Sequence, residues 1–554
     1  MINMRFYLFG ALIILLGGCS VAENEQPPNI LWITCEDISP TLSFNDDSTA
    51  YTPVLDKLAE ESIVFKHVYA TVGVCAPARS SIITGMYPAS IGTHNMRTGR
   101  DYSGWGTRNY DEPSDATDIN GDAIPLYSAV VPEQVKCFTE YLRAAGYFCT
   151  NNAKTDYQFA APVTAWDQNG NKAHWRNRAK NQPFFAVFNH EVTHESRIWM
   201  NKELPHTVDP ATVPLPPYFP DNPVVRQDIA RNYSNIELLD SQVGELLKEL
   251  SDSGLLDNTI IFFFSDHGGP LPRGKREHYD SGLKVPFLVR FPAASRKGRN
   301  NELISFVDLA PTVLSLAGIK PPDYIQGKAF LGKYKSSDQR KYIFASSDRF
   351  DEHADMIRMV KDDRFLYVRN FYPNRPAYKD VAYRKQMDMM NELLALRDKD
   401  LLNTDQAYFF REKKAEEEFY DCLTDTYQLN NLIGEQQYTE KIEELRGALS
   451  DWQTVIDDKG FIPELELLES MWPGGIQPKT VEPEYYFNGE MLHVSCDTPG
   501  SSIAYIISDN EFKPDLNSGW KLYHQPLRII KGKTIYLMST RIGYRDSEIV
   551  KTSS

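Results

Sequence analysis

The sequence is poor in cysteine and in positive charge, and it has no long hydrophobic run. Seven cysteines in 554 residues match neither a zinc site nor a dense disulfide framework in their spacing, and most lie in apolar patterns that predict buried thiols. The 59 lysines and arginines are outnumbered by 75 aspartates and glutamates, and the net charge of −16 argues against nucleic acid as the main partner. A polyanionic substrate must therefore be met by local cationic groups, because the overall field repels it.

The N-terminal segment has the pattern of a bacterial lipoprotein signal. Arg5 precedes an apolar stretch over residues 6–16, which is too short to span a membrane. The sequence Leu-Gly-Gly-Cys that ends at Cys19 resembles the lipobox, so we expect residues 1–18 to be removed and Cys19 to be lipidated; a plain signal peptide with an incidental cysteine is the alternative. Residues 19–28 would form a flexible tether. The pattern predicts a protein of the bacterial cell envelope, an outer-membrane or periplasmic lipoprotein that meets the membrane through its lipid anchor alone.

Strands alternate with helices in the predicted structure of residues 29–335. Continuous apolar runs indicate buried strands, and apolar residues at helical spacing indicate helices between them. We expect strands at residues 29–35, 147–150, 184–188, 259–264 and 285–291, and helices at residues 52–62, 134–145 and 233–250. This order predicts the α/β class, with a large, doubly wound mixed sheet.

Two further regions follow this sheet. Residues 336–474 are expected to form a smaller α+β C-terminal subdomain, in which the charge-dense residues 411–418 are expected to form a solvated helix face. Short strand patterns between turn signals predict a β-sandwich over residues 475–554. This last region resembles the C-terminal module of chitobiases and hexosaminidases, and we expect it to be accessory.

One motif predicts an enzyme with a modified nucleophile. The segment Cys75-Ala76-Pro77-Ala78-Arg79, followed by Thr84-Gly85, resembles the C-x-P-x-R signature of the type I sulfatase family. Weaker family elements occur in the family's order over residues 28–470, at 29–37, 51–56, 265–268, 274–275, 279–282, 307–312 and 419–421. The resemblance implies that a formylglycine-generating enzyme or an anaerobic sulfatase-maturating enzyme oxidises Cys75 to formylglycine, whose hydrate attacks sulfur.

The resemblance also implies a metal site at the ends of two strands. Its ligands would be Glu36 and Asp37 after the first strand, Asp266 and His267 after a later one, and the modified Cys75. Carboxylate oxygens favour a hard cation such as Ca²⁺, and α/β sheets bind ligands at the carboxyl ends of their strands. His267 stands where many family members have asparagine, and an imidazole shifts the balance toward Mn²⁺ or Zn²⁺. We therefore expect Ca²⁺, with Mn²⁺ as the alternative.

Catalytic roles follow from the same resemblance for Cys75, Arg79, Lys154, Asp156, His194 and Lys275. His194 matches the general acid that protonates the leaving alcohol, with His190 as its competitor. Asp156 stands where the family has a histidine that helps to expel sulfate. It would either replace that base or only orient the hydrate.

The expected substrate is a sulfated carbohydrate. The segments at 32–40 and 154–157 resemble those of bacterial polysaccharide-utilisation sulfatases, which act on algal polysaccharides such as ulvan or on glycosaminoglycans. His94, Arg97 and Arg100 would contact sugar hydroxyls or a uronic acid, or be ordinary loop residues. Two alternatives stay open: a phosphonate or phosphodiester hydrolase of the same alkaline-phosphatase-like superfamily, and a non-catalytic glycan-binding lipoprotein.

Overall fold

The computed structural model of the protein describes residues 27–529 and 531–553. Cys19 and the predicted signal peptide lie outside the described residues. In the part of the chain that is described, no helix has the length and apolar character needed to cross a membrane.

A large mixed sheet organises the first part of the chain. Its strands are β1 (Asn29–Cys35), β2 (Ile63–Tyr69), β3 (Phe148–Asn152), β4 (Gln168–Asn169), β5 (Phe184–His190), β6 (Thr259–Ser265), β7 (Phe287–Arg290) and β8 (Gly298–Ser305). The eight strands lie in the order β4-β3-β5-β1-β6-β7-β2-β8. Strand β7 is antiparallel to both of its neighbours, and the other pairs are parallel. The predicted α/β class with a large mixed sheet is confirmed.

Helices cover both faces of this sheet. They are α1 (Pro53–Glu60), α2 (Cys75–Thr84), α3 (Pro88–Ile91), α4 (Phe138–Ala144), α5 (Ser196–Met200), α6 (Pro223–Asp252), α7 (Asp280–Leu283) and α8 (Leu309–Leu316). One apolar cluster joins the sheet to α2, α4 and α8, and a second joins it to α1 and α6. Helix α6 begins well before the predicted residue 233, because Pro223 occupies its first position and the Asn222 side chain accepts a hydrogen bond from the Val225 N–H.

An antiparallel sheet follows, with strands β9 (Ile343–Ser347), β10 (Ile357–Lys361), β11 (Phe365–Asn370) and β12 (Glu417–Asp421) in the order β12-β11-β10-β9. The helices around it are α9 (Asp388–Asp398), α10 (Thr404–Ala407), α11 (Thr439–Ile456) and α12 (Glu464–Met471). The predicted helix at 411–418 is wrong, because Glu417 and Glu418 begin β12. Glu412, Lys413 and Glu416 are exposed as expected, but Lys414 is buried, and its ammonium lies 2.7 Å from Asp355 Oδ2. The ion pair with Asp355, which is distant in sequence, allows the charge of Lys414 to be buried.

The C-terminal residues form two antiparallel sheets. Their strands are β13 (Glu484–Asn488), β14 (Met491–Ser495), β15 (Ser502–Ser508), β16 (Lys521–Tyr523), β17 (Leu527–Arg528), β18 (Thr534–Thr540) and β19 (Val550–Ser553), in the orders β13-β14-β17 and β16-β15-β18-β19. Leu492 of one sheet and Leu537 of the other belong to one buried apolar cluster. The region is bound to the large sheet domain by side-chain contacts, for example from Lys136 Nζ to the Gly500 carbonyl at 2.6 Å.

Candidate active site

Cys75 is the first residue of α2 and is fully buried. The free N–H groups at the start of a helix carry partial positive charge, which favours an anion at this position. Gly73 lets the preceding loop approach the segment around Glu277, since a side chain at Gly73 would meet the Glu277 carbonyl oxygen at 2.3 Å. The Arg276 N–H donates to the Gly73 carbonyl at 2.6 Å and fixes this approach. The location suits a nucleophile that carries negative charge.

Acidic and imidazole groups converge on Cys75 from two adjacent strands. Glu36 and Asp37 follow β1, and Asp266 and His267 follow β6. His267 Nε2 lies 3.1 Å from Asp37 Oδ1, 3.7 Å from Asp266 Oδ1 and 3.4 Å from Cys75 Sγ. The potential metal-ligand atoms of Asp37, Cys75, Asp266 and His267 all lie within 4.8 Å of one another. The same is true of the ligand atoms of Glu36, Asp37, Cys75 and His194. The predicted metal ligands are therefore brought together.

This donor set fits a metal ion. The Nδ1–H of His267 donates to the Gly268 carbonyl at 3.0 Å, which leaves Nε2 directed toward the carboxylates. Burial alone would lower the pKa of His267, but Asp266 and Asp37 raise it well above its usual range. The buried negative charge that holds a proton on this imidazole would also attract a divalent cation. Carboxylate oxygens with one imidazole are ligands for Ca²⁺ or for a transition metal such as Mn²⁺.

Three buried cations surround the same carboxylates. All three side chains are less than 10% exposed, and one of them, Arg79, belongs to the C-x-P-x-R signature. The contacts are Arg79 Nε to Asp266 Oδ2 (3.1 Å), Arg79 Nη2 to Glu36 Oε1 (2.9 Å), Lys154 Nζ to Glu36 Oε1 (2.7 Å) and Lys275 Nζ to Asp37 Oδ2 (2.8 Å). They supply the local positive charge that an anionic substrate needs in an acidic protein.

The charges around Cys75 stabilise an anion there. Burial alone would raise the pKa of the Cys75 thiol, but Lys275 and Lys154 bring it down to about 6. Burial would likewise raise the pKa of Glu36, but Lys154 and Arg79 lower it to about 2. The same cations would stabilise an oxyanion at residue 75.

Asp156 is held by two cations at the edge of the cluster. Its carboxylate lies 2.7 Å from Arg97 Nη1 and 3.4 Å from Lys154 Nζ. Burial opposes its ionisation, but Arg97 and Lys154 hold the pKa of Asp156 below its usual range. Asp156 is therefore an ionised carboxylate that is engaged in ion pairs.

His194 lies closer to the cluster than His190 does. His194 Nε2 is 3.9 Å from Glu36 Oε2, its Nδ1 is 2.9 Å from Ser196 Oγ, and its side chain is 13% exposed. His190 instead places Nδ1 3.1 Å from Gln242 Oε1 on α6. Of the two histidines, His194 has the position for proton transfer to a leaving group at residue 75.

Of the three substrate-binding candidates that follow α2, only Arg97 reaches the cluster, through Asp156. His94 is buried in a small separate cavity, and Arg100 forms an exposed ion pair with Glu112. His94 and Arg100 are close to Cys75 in sequence but not in the structure. The loop that follows α3 places both side chains away from the strand ends.

Two residues that the sequence analysis did not single out complete the site. Asn189, at the end of β5, accepts a hydrogen bond from Arg79 Nη1 at 2.8 Å. Glu195 accepts from both terminal nitrogens of Arg276 at 2.9 Å and lies 3.3 Å from Lys275 Nζ. Both follow the apolar run of β5, so their position after a predicted buried strand was the available signal.

Two family models and several known proteins match this chain. Residues 28–319 match the family model described as Sulfatase, and residues 273–400 match the model of the N-sulphoglucosamine sulphohydrolase C-terminal region. An ulvan-active sulfatase from Formosa agariphila is 43% identical over 98% of this chain and 94% of that protein. Human N-sulphoglucosamine sulphohydrolase is 25% identical over 84% of this chain and 97% of that protein.

A solved structure has the same fold. It is a protein in complex with its substrate D-glucosamine-2-N,6-O-disulfate, and it covers 79% of this chain and 99% of its own with a TM-score of 0.55 and 17% identity. The family match over residues 28–319 takes in the whole cluster, from Glu36 to Lys275. The chain belongs to the sulfatase family and is a sulfuric ester hydrolase.

Proposed function

We propose that this chain removes sulfate esters from ulvan-type algal polysaccharide, with formylglycine made from Cys75 as the nucleophile. The observation that carries the chemistry is the buried position of Cys75 at the start of α2, 3.4 Å from His267 Nε2 and among three cations. The ulvan-active relative supports the substrate, because it is 43% identical along almost the whole chain. Glycosaminoglycan is the second substrate class, supported by the relationship to N-sulphoglucosamine sulphohydrolase.

The side chains around residue 75 have separate tasks in this proposal. Formylglycine would supply, as its hydrate, an oxygen nucleophile, and a bound metal would withdraw charge from a sulfate oxygen. Lys154 and Lys275 would bind sulfate oxygens and balance the charge that develops there. Arg79 would orient the hydrate, and Asn189 holds the guanidinium of Arg79 in place.

Asp156 would act by position rather than as a base. A carboxylate whose pKa lies below its usual range binds a proton weakly, and this one is held by Arg97 and Lys154. We infer that Asp156 keeps Lys154 directed at the substrate. The Arg97 side chain, which is 30% exposed, would contact the substrate's sugar.

His194 would donate the proton to the leaving sugar oxygen. We expect His194→Ala to lower kcat about 10²- to 10⁴-fold on a sulfated sugar, which is a poor leaving group, and to lower it much less on 4-nitrophenyl sulfate, whose leaving group needs no proton. Sulfate release from the two substrates measures the difference. The control is His190→Asn, which should keep parental turnover of both; equal losses on both substrates in His194→Ala would contradict the assignment.

Ca²⁺ is the proposed metal, with Mn²⁺ as the alternative, and its ligands would be Glu36, Asp37, Asp266, His267 and the modified residue 75. We expect chelation to lower the Tm of the protein and added Ca²⁺ to restore it, since a ligand at 100 times its Kd stabilises the folded state by about 2.7 kcal/mol. Asp266→Asn should abolish the response to Ca²⁺. A Tm that chelation does not change, or that responds equally in Asp266→Asn, would contradict the site.

We further propose that the chain is lipidated at Cys19 and located in the bacterial cell envelope, on the basis of the sequence pattern alone. The proposed division is a catalytic domain over 29–335, an α+β subdomain over 336–474 and a β-sandwich over 475–554. The shared apolar core of the two C-terminal sheets supports the sandwich. A formylglycine-generating or anaerobic sulfatase-maturating enzyme would modify Cys75.

The function is tested with protein that is co-expressed with a maturation enzyme. The substrates are ulvan oligosaccharides, sulfated glycosaminoglycan disaccharides and an aryl phosphodiester, and the readouts are released sulfate and released phenol. We expect sulfate release from ulvan oligosaccharides with the highest kcat/KM. Faster cleavage of the phosphodiester would favour the phosphodiester hydrolase instead.

A further inference from the structure

Two aromatic side chains, those of Tyr383 and Trp199, form a pair beside His194. The ring centre of Tyr383 is 6.3 Å from that of His194 and 5.1 Å from that of Trp199. The exposed fraction rises from 0% for Cys75 to 13% for the His194 side chain and 40% for Tyr383. The aromatic pair therefore lies next to the candidate general acid; Tyr383 is open to solvent, and Trp199 is half-buried against the second apolar cluster.

The turn that carries Tyr383 is tied down on both sides. Arg384 is fully buried, and its Nη2 donates to the Lys275 carbonyl at 2.7 Å. On the other side the Ala382 N–H donates to Glu352 Oε1 at 2.5 Å. Tyr383 is thus an exposed ring on a fixed backbone. A ring held in this way loses little conformational entropy when a ligand packs on it.

We propose that Tyr383 and Trp199 form a stacking platform for a sugar ring of the substrate, on the side of the leaving group. His194 is expected to protonate the oxygen that leaves with the sugar, so the sugar that bears this oxygen must lie next to His194. Sugar rings have apolar C–H faces, and aromatic rings provide flat apolar surfaces with a polar edge. The inference rests on the proposed function, in which the substrate is a sulfated saccharide.

A second exposed aromatic ring lies beside Arg97, which reaches the site through Asp156. The Arg97 guanidinium lies 4.8 Å from the ring centre of Tyr102, and Tyr102 is 42% exposed. Arg97 also holds Asp156 inside the site. Tyr102 therefore offers a second aromatic surface near the site. Stacking does not require positive charge, so it suits a polyanion that binds to an acidic protein.

The platform is tested by binding in a Cys75→Ala background, which removes turnover. Calorimetry with sulfated ulvan oligosaccharides should show affinity lowered about 5- to 10-fold by Tyr383→Ala and by Trp199→Ala. Tyr383→Phe should keep the parental affinity, since it keeps the ring. Tyr334→Ala is the matched control, because Tyr334 is 36% exposed and lies outside the site.

The results separate this inference from the proposed function. Parental affinity in both Tyr383→Ala and Trp199→Ala would overturn the platform, and so would a parent that binds no oligosaccharide at millimolar concentration. Weakened binding in both variants, with a formylglycine-bearing protein that releases no sulfate from the same oligosaccharides, would support the platform and contradict the proposed reaction. Sulfate release with unchanged binding in the variants would contradict the platform alone.

Discussion

Replacing Cys75 by alanine is expected to abolish sulfate release, by more than about 10⁴-fold in kcat, because it removes the atom that maturation converts into the nucleophile. The fold should be retained, since the buried side chain becomes smaller and the surrounding ion pairs among Glu36, Arg79 and Lys154 do not depend on Cys75. Released sulfate measures the loss. The binding of oligosaccharide should persist, and this distinguishes an inactivated enzyme from a protein that only binds glycans.

Cys137→Ala is the matched control for this result. Cys137 is also a fully buried free cysteine, and burial raises the pKa of its thiol well above the usual range, so it is an unreactive thiol. The variant should turn over substrate at the parental rate. In the parent, the Cys75 peptide should be lighter by about 18 Da, as expected for a cysteine converted to formylglycine. Sulfate release that survives in Cys75→Ala would contradict the proposed nucleophile.

The convergence of the metal donors was implied by the resemblance to the sulfatase family, and two general rules explain why it occurs. Apolar runs identified β1 and β6 as buried strands, and parallel strands expose the residues after their carboxyl ends at one edge of a sheet. Asp37 and Asp266 each follow such a strand, and the pair β1–β6 lies at the centre of the sheet. The role of Cys75 came from the resemblance to the sulfatase signature, whereas its position at the start of α2 is shown by the structure.

The parts that sequence reasoning missed depend on contacts between distant segments. Glu195 belongs to the site because it pairs with Arg276, which is 81 positions away in the chain. Both terminal nitrogens of Arg276 donate to the Glu195 carboxylate. Lys414 is buried because Asp355 neutralises it, so a dense run of charge proved not to be a solvated helix. The Tyr383 ring lies 6.3 Å from the His194 ring, on a turn that is held by the hydrogen bond from Arg384 Nη2 to the Lys275 carbonyl. Local periodicity contains no information about any of these pairings.

Glu195→Gln is expected to lower both stability and activity. Removing one partner of a buried ion pair leaves the other charge uncompensated, at a cost of about 3–5 kcal/mol. We expect the lower end, about 3 kcal/mol, because Arg276 keeps Asp351 at 2.8 Å. Lys275 loses a carboxylate at 3.3 Å, so kcat/KM should fall about 10- to 100-fold if the lysine is no longer held toward the substrate. Chemical denaturation and steady-state kinetics measure the two effects.

Two further variants distinguish the positioning of Lys275 by Glu195 from a general loss of stability. Glu195→Asp keeps the charge, so it should recover most of the stability while the shorter side chain leaves Lys275 less well held. Asp221→Asn removes a carboxylate from the exposed ion pair with Arg226 and should leave both the unfolding midpoint and the turnover unchanged. A Glu195→Gln protein that unfolds at the parental midpoint would contradict the role of this ion pair. Lowered stability with parental kcat/KM would limit Glu195 to a structural role and leave Lys275 to be positioned by Asp37 alone, at 2.8 Å.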